Sequence, residues 1–163
     1  MEENETAKVT IVIPVHNRKQ YTLNCLKQLQ SIDKDGMDIT TVVVDDGSTD
    51  GTSEAIANVF PEVVVLRGDG NLWWSGATNK GVQYALEHNS DYVLTLNDDT
   101  MFRNDFLMYM LKTVQSYKNT ICCGVFCDVD DKNNTISGGR FAKELLGHNV
   151  YSSNLFEIES TAL

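Results

Sequence analysis

The 163-residue chain has no apolar run that approaches the roughly 20 residues needed to cross a bilayer, which excludes a helical membrane span. A secretory signal pattern is also missing. Met1 to Lys8 is polar, carries three glutamates, and has neither a basic start nor an apolar stretch. The expectation is a soluble, cytoplasmic chain, at most peripheral to the inner face of a membrane. Positive charge is scarce: 13 Lys+Arg stand against 23 Asp+Glu, a formal net charge of -10, and such a field repels nucleic acid phosphates. An anionic ligand then needs a local cation, a helix amino terminus or backbone N–H groups. The four cysteines, Cys25, Cys122, Cys123 and Cys127, lack CxxC spacing, and two are adjacent in an apolar run. That pattern is expected of small buried hydrophobes and not of zinc ligands or disulfides. Internal repeats, low-complexity segments and heptads are absent too. What is present, 42% hydrophobic residues over this length, suffices for one good core, so a single domain over 1–163 is expected.

Strand and helix periodicities alternate along the chain. Val9 to Ile13 is a β-branched run expected to end at Pro14, which cannot continue a central ladder. From Lys19, Leu23, Leu26 and Leu29 recur at helical spacing until charge and Gly36 break the pattern at Asp33 to Asp38. The unit repeats as strand Ile39 to Val44, helix Thr52 to Val59, strand Val63 to Leu66, helix Ser75 to Glu87, strand Tyr92 to Leu96, helix Asp105 to Tyr117 and strand Ile121 to Phe126. A turn over Asp128 to Asn134 and short strands around Thr135 to Ser137 and Tyr151 to Phe156 follow. The expected class is α/β, a mostly parallel sheet flanked by helices on both faces.

Two acidic loops follow buried strands. Val42-Val43-Val44 runs into Asp45-Asp46-Gly47-Ser48-Thr49-Asp50-Gly51, and Val93-Leu94-Thr95-Leu96 runs into Asn97-Asp98-Asp99. Strands of continuous apolar residues lie inside parallel sheets, and their carboxyl ends are where open α/β sheets bind ligands. Capping of the next helix needs only Asp50 or Thr52; adjacent aspartates at a strand end are better explained by a ligand or a metal. Clustered carboxylates suit hard cations such as Mg2+ or Mn2+, completed by water and phosphate oxygens. Between the loops lies Arg67-Gly68-Asp69-Gly70-Asn71-Leu72-Trp73-Trp74-Ser75-Gly76-Ala77-Thr78-Asn79-Lys80-Gly81. Here Ser75 or Gly76 is expected to start a helix whose free N–H groups face a phosphate, with Arg67 or Lys80 offsetting its charge. At least one of Trp73 and Trp74 is expected to anchor the loop by burial.

Taken in order, Thr10 to Arg18, Val42 to Thr52, Asn71 to Gly81 and Leu96 to Asp99 resemble family 2 glycosyltransferases of the GT-A fold, the Rossmann-like fold of nucleotide-diphospho-sugar transferases. The paired tryptophans resemble the rhamnosyltransferase-like branch. The resemblance covers about residues 8 to 127, with Asp45 to Thr52 its most specific part. It implies that Pro14 and His16 line the nucleobase pocket, although the family most often has an aromatic residue where His16 stands, and that Asn17 belongs to the nucleotide-sugar site. It implies that Asp45 or Asp46 accepts a base N–H, and that Gly76, Asn79 and Lys80 run along a UDP- or dTDP-linked sugar. Asn97-Asp98-Asp99 matches the DxD motif, with Asn97 at its first acidic position; Asp98 is then expected beside the nucleotide sugar and Asp99 on a divalent metal. The implied activity is inverting transfer of a sugar to a polysaccharide or other glycan, or to a lipid-linked acceptor, in cell wall or polysaccharide biosynthesis.

The family's catalytic base lies in a later Glu-Asp motif followed by arginine, and no such motif precedes Leu163; Glu144, Glu157 and Glu159 lack its context. The acceptor half is expected to be incomplete. The alternative is a nucleotide-sugar binding module without transfer activity. A nucleotidyltransferase would carry a glycine-rich basic loop where His16-Asn17-Arg18-Lys19 stands, and a receiver or haloacid-type phosphatase would place its aspartates after the first strand.

Overall fold

The structure is a computed structural model that describes residues 6–117, 120–124, 126–127, 135–137, 140–143 and 148–151. The chain divides into two compact units, Met1–Asp105 and Phe106–Leu163. The first alternates strictly: β1 (Ala7–Val15), α1 (Lys19–Gln30), β2 (Met37–Asp45), α2 (Thr52–Val59), β3 (Val64–Arg67), α3 (Trp73–Glu87) and β4 (Tyr92–Thr95). The four strands form one parallel sheet in the order β3-β2-β1-β4.

Burial explains why the central strands read as unbroken apolar runs. Ile11, Val12 and Ile13 of β1 and Val42, Val43 and Val44 of β2 have no solvent exposure, because helices cover both faces. Right-handed crossovers step from β1 to β2 to β3, then α3 carries the chain back past both to β4, so α3 lies on the face opposite α1 and α2. On its side Val12, Val42, Val44 and Ala77 form a buried cluster ringed by Val64, Leu66, Leu72, Tyr84 and Val93. Gly81 sets how closely α3 approaches β1: a Cβ there would overlap the Cγ1 of Val12. On the other side α1 contributes Cys25, Leu26 and Leu29, and α2 contributes Ile56.

Several expectations need correction. Pro14 does not end β1, which continues to Val15 with Pro14 in register with Val44. The Val12 carbonyl accepts from Leu96 N–H on the β4 side, and the Val15 carbonyl accepts from Asp46 N–H on the β2 side. Pro14, two residues after Val12, faces the β4 side beyond the last paired residue of that ladder, where no donor is required. The third helix starts at Trp73, before Ser75 or Gly76, for a reason given below.

In the second unit α4 spans Phe106–Ser116, and two antiparallel pairs follow: β5 (Phe126–Cys127) with β6 (Thr135–Ser137), and β7 (Arg140–Lys143) with β8 (His148–Tyr151). The strand expected over Ile121 to Phe126 does not form across 121–124. Ile121 is 85% exposed and Gly124 brings no side chain to pack, which weakens a strand at both ends of the stretch. Cys25 is buried as expected, whereas Cys123 is exposed and Cys122 half-buried. The expected turn at 128–134 and the strand beyond Tyr151 lie outside the described residues, as do Glu144, Glu157 and Glu159.

Gly81→Ala tests the α3–β1 approach. Overpacking against a fully buried strand costs about 1–3 kcal/mol, more than the ~1 kcal/mol gained in helix propensity. Urea unfolding should therefore show a net loss of stability that Gly81→Ala combined with Val12→Ala partly recovers; a stabilised Gly81→Ala would show that α3 packs more loosely than described.

Candidate functional site

The carboxyl ends of β1, β2, β3 and β4 share one edge, and the strand order reverses between β1 and β4. A crevice opens there in doubly wound sheets because connections leave adjacent strands toward opposite faces.

The first acidic loop is organised by its own aspartates. Asp45, at the end of β2, accepts from Ser48 N–H at 2.9 Å and from the Ser53 hydroxyl in the first turn of α2. A carboxylate at a helix amino terminus also complements the helix dipole. Asp50 accepts the amides of Thr52 (3.1 Å) and Lys19 (3.0 Å), and its carboxyl is held below the usual range, first by the Thr52 hydroxyl and then by the Lys19 amide.

Asp46 is buried and accepts from Gly70 N–H at 2.8 Å and Trp73 N–H at 2.9 Å. One carboxylate thus fixes the β3–α3 loop and caps α3 from another strand, which is why the helix begins at Trp73. The loop approaches so closely that a Cβ at Gly68 would overlap Asp46 Oδ1, and one at Gly47 would lie 2.9 Å from Gly70 N. Trp73 adopts the left-handed region (φ 54°), rare for a bulky residue, and its indole is 80% exposed, contrary to burial as an anchor. Trp74, also exposed, donates from Nε1 to Asn97 Oδ1 at 3.0 Å. Consecutive tryptophans therefore connect the two acidic loops, one through its backbone to Asp46 and one through its indole to Asn97.

At the second loop the partner is Arg18, from the segment that follows β1. Its Nε donates to Asp98 Oδ1 and Oδ2 at 2.9 and 3.2 Å, and its Nη2 donates to Asp99 Oδ2 at 2.8 Å. Its guanidinium lies over the Tyr21 ring, 4.6 Å from the centroid. The Thr22 hydroxyl lies 3.1 Å from Asp98 Oδ2. Burial holds the Asp98 carboxyl above its ordinary range, while Arg18 and Thr22 pull the other way without overcoming it. Burial also pushes the Cys25 thiol up to about 12, aided by Asp98 and Asp99, so Cys25 is no nucleophile at neutral pH.

The other expected site residues divide into two groups. His16 and Asn17 lie beside the acidic loop: His16 Nδ1 is 2.5 Å from the Asp46 carbonyl, Asn17 Oδ1 accepts from Thr49 N–H at 2.7 Å, and Asn17 N–H donates to Ser48 Oγ at 2.8 Å. Asn17 has φ 53°, a conformation that Asn tolerates. Pro14 precedes them on β1. Arg67 instead sits at the end of edge strand β3, three places from β4, and pairs with Glu54 at 3.0 Å. Lys80 Nζ donates to the Arg67 carbonyl at 2.6 Å, Gly76 N–H donates to the Leu72 carbonyl within the helix, and Asn79 is exposed. The cation that meets the second acidic loop is therefore Arg18, which sequence reasoning passed over in favour of Arg67 and Lys80. Its one signal was position, the first basic residue after β1.

Among the described residues no group of three or more His, Cys, Asp or Glu side chains converges as a metal cage. Mg2+ and Mn2+ do not require one, since one or two carboxylates with waters and phosphate oxygens complete their shell. Asp99, half-exposed beside the buried Asp98, fits that donor set.

Comparisons with known proteins agree with this architecture. A sequence model of glycosyl transferase family 2 matches residues 10–163. The Streptococcus pneumoniae glycosyltransferase GlyA is 28% identical over 147 residues, covering 88% of this chain and 20% of GlyA. A mannosyltransferase, PcManGT from Pyrobaculum calidifontis, solved with GDP-Man and Mn2+, superposes with a TM-score of 0.63 at 21% identity, over 76% of this chain and 36% of its own. S. aureus TarS 1-349 in complex with UDP-GlcNAc gives 0.61 at 20% identity, over 74% and 34%. At these identities the structures establish a shared fold, and this chain spans well under half the length of each relative.

Two outcomes follow from the site's geometry. Asp46→Asn places an N–H against Gly70 or Trp73 N–H and should cost about 1–3 kcal/mol, with the largest amide NMR shifts at those two residues; unchanged stability would mean that Asp46 does not cap α3. For Asp98, a raised carboxyl pKa means the folded chain keeps a proton that the unfolded chain has lost, so this group subtracts stability as pH rises through the interval above 3.8. Carboxyl-carbon NMR should place its midpoint above 3.8, and Arg18→Gln should raise it further; a lower midpoint in the variant would contradict the pairing.

Proposed function

The chain belongs to glycosyl transferase family 2, and from that membership we propose that it is the donor-binding part of an inverting glycosyltransferase. The reading is carried by one observation: Asp98 and Asp99 lie together at the β1–β4 switch point, tied through Asn97 and the tryptophans to the Asp46 loop. The donor is a nucleotide-diphosphate sugar, with the base toward Pro14, His16 and Asn17 and the diphosphate toward Asp98 and Asp99. The uridine and guanosine sugars named with the two similar structures make UDP- and GDP-linked donors the first candidates beside dTDP-linked ones. The acceptor is a glycan or lipid-linked saccharide.

In this proposal the chain's own residues act by positioning. Asp45 and Asp46 accept protein donors and keep the loop rigid before any ligand arrives, which lowers the ordering cost of binding. Any contact to a base N–H uses lone pairs that their protein donors leave free. Asp99 holds the divalent ion, Mg2+ or Mn2+, whose contribution when bound is to stabilise negative charge on the departing nucleoside diphosphate. Deprotonation of the acceptor hydroxyl falls to a carboxylate of the acceptor-side portion. Among the described residues no helix is long and apolar enough to cross a membrane.

Calorimetric titration of UDP-, dTDP- and GDP-sugars with and without Mn2+ tests the reading. The parent chain should bind one class of donor in a metal-dependent way, and Asp99→Ala should weaken that binding at least about tenfold, as expected for loss of a charged ligand. Equal binding by the variant would remove Asp99 from the site. Donor binding without sugar transfer would reduce the proposal to a binding module.

A further inference from the structure

We propose that Arg18 is a resident counter-cation that holds Asp98 permanently and competes with the divalent ion for Asp99. This rests on the reading of Asp99 as the metal-holding residue. Arg18 spans two successive carboxylates, but its two links differ in kind. The Asp98 side chain is 5% exposed and also meets the Thr22 hydroxyl, so separating it from Arg18 would leave a buried charge without its cation. The Asp99 side chain is 52% exposed, and solvent can replace the guanidinium there at little cost. Nε is therefore the anchored end and Nη2 the end that yields, with the Tyr21 ring supporting the guanidinium plane.

A consequence follows for the order of binding. A dication that takes Asp99 Oδ2 would displace Nη2, and one on either Asp99 oxygen would sit beside a guanidinium that stays on Asp98, so it is repelled and its affinity for the free protein is depressed. A diphosphate brings the negative charge that relieves this repulsion, and the released Nη2 becomes a donor for one of its oxygens. Metal and nucleoside diphosphate then bind with positive coupling, each raising the affinity of the other.

Titration of Mn2+ by electron paramagnetic resonance, without nucleotide and again with UDP, tests the proposal on the full chain, Arg18→Gln, Arg18→Lys and Asp99→Ala. Arg18→Gln should bind Mn2+ about tenfold more tightly than the parent without nucleotide, the scale expected for one screened unit charge removed beside a dication, and should lose most of the coupling to UDP. Arg18→Lys, which keeps the charge but not the fork, should fall between. Equal or weaker Mn2+ binding by folded Arg18→Gln, with Asp99→Ala silent, overturns the role of Arg18 alone. Absence of Mn2+ binding in the parent with and without UDP overturns the metal reading with it. Nitrogen NMR of the Arg18 guanidinium in the unsubstituted protein provides a measurement that needs no variant. On saturation with Mg2+ the Nη2 protons should lose protection while Nε–H persists, and an unchanged Arg18 spectrum would refute the exchange.

Discussion

The buried carboxylate of Asp46 is the constraint on which the carboxyl edge depends. It leaves the end of β2 and accepts two backbone N–H groups from the connection between β3 and α3. Without it those part-buried amides would lose their protein acceptor, and α3 would lose the acceptor at its first residue. The same bonds fix Trp73 in a left-handed conformation and so direct the next residue, Trp74, toward Asn97. Gly47 and Gly68 complete the arrangement because any Cβ there would collide with the loop or with Asp46 itself.

Charge is distributed with similar economy. In a chain of net charge -10, the two aspartates after β4 are kept together by a single guanidinium from across the switch point. Burial of Asp98 makes its pairing persistent, and exposure of Asp99 leaves it exchangeable. A rigid anionic floor with one replaceable cation differs from a preassembled metal cage. It suits the proposed donor site, whose ion would arrive with a phosphorylated ligand.

Membership in glycosyl transferase family 2 agrees with this organisation at the level of fold and motif order. The described carboxyl edge includes the positions at which the family resemblance places base, diphosphate and metal. The chain corresponds to 20% of the length of GlyA and to about a third of the superposed structures' chains, so transfer chemistry and acceptor choice belong to the proposal for the whole enzyme.

Alternation of strands and helices, the buried centre of the sheet and the location of both acidic loops after strands were legible in the sequence. These features depend on local periodicity: Val42 to Val44, β-branched and followed by turn formers, reads as a doubly covered strand, and Thr52 to Val59 begins and ends where its residues indicate. The order of the strands was not legible, because pairing between segments as distant as Val9 and Tyr92 is set by crossover handedness and packing and leaves no trace in a local period. Tertiary structure alone decided that β4 lies beside β1, and hence that Arg18 meets Asp98 while Arg67 stays on the far edge. It likewise decided that Pro14 faces an unpaired stretch, and that Asp46 turns inward to cap α3. Each outcome follows from which backbone groups lack a partner once the sheet is assembled, and no single segment carries that information.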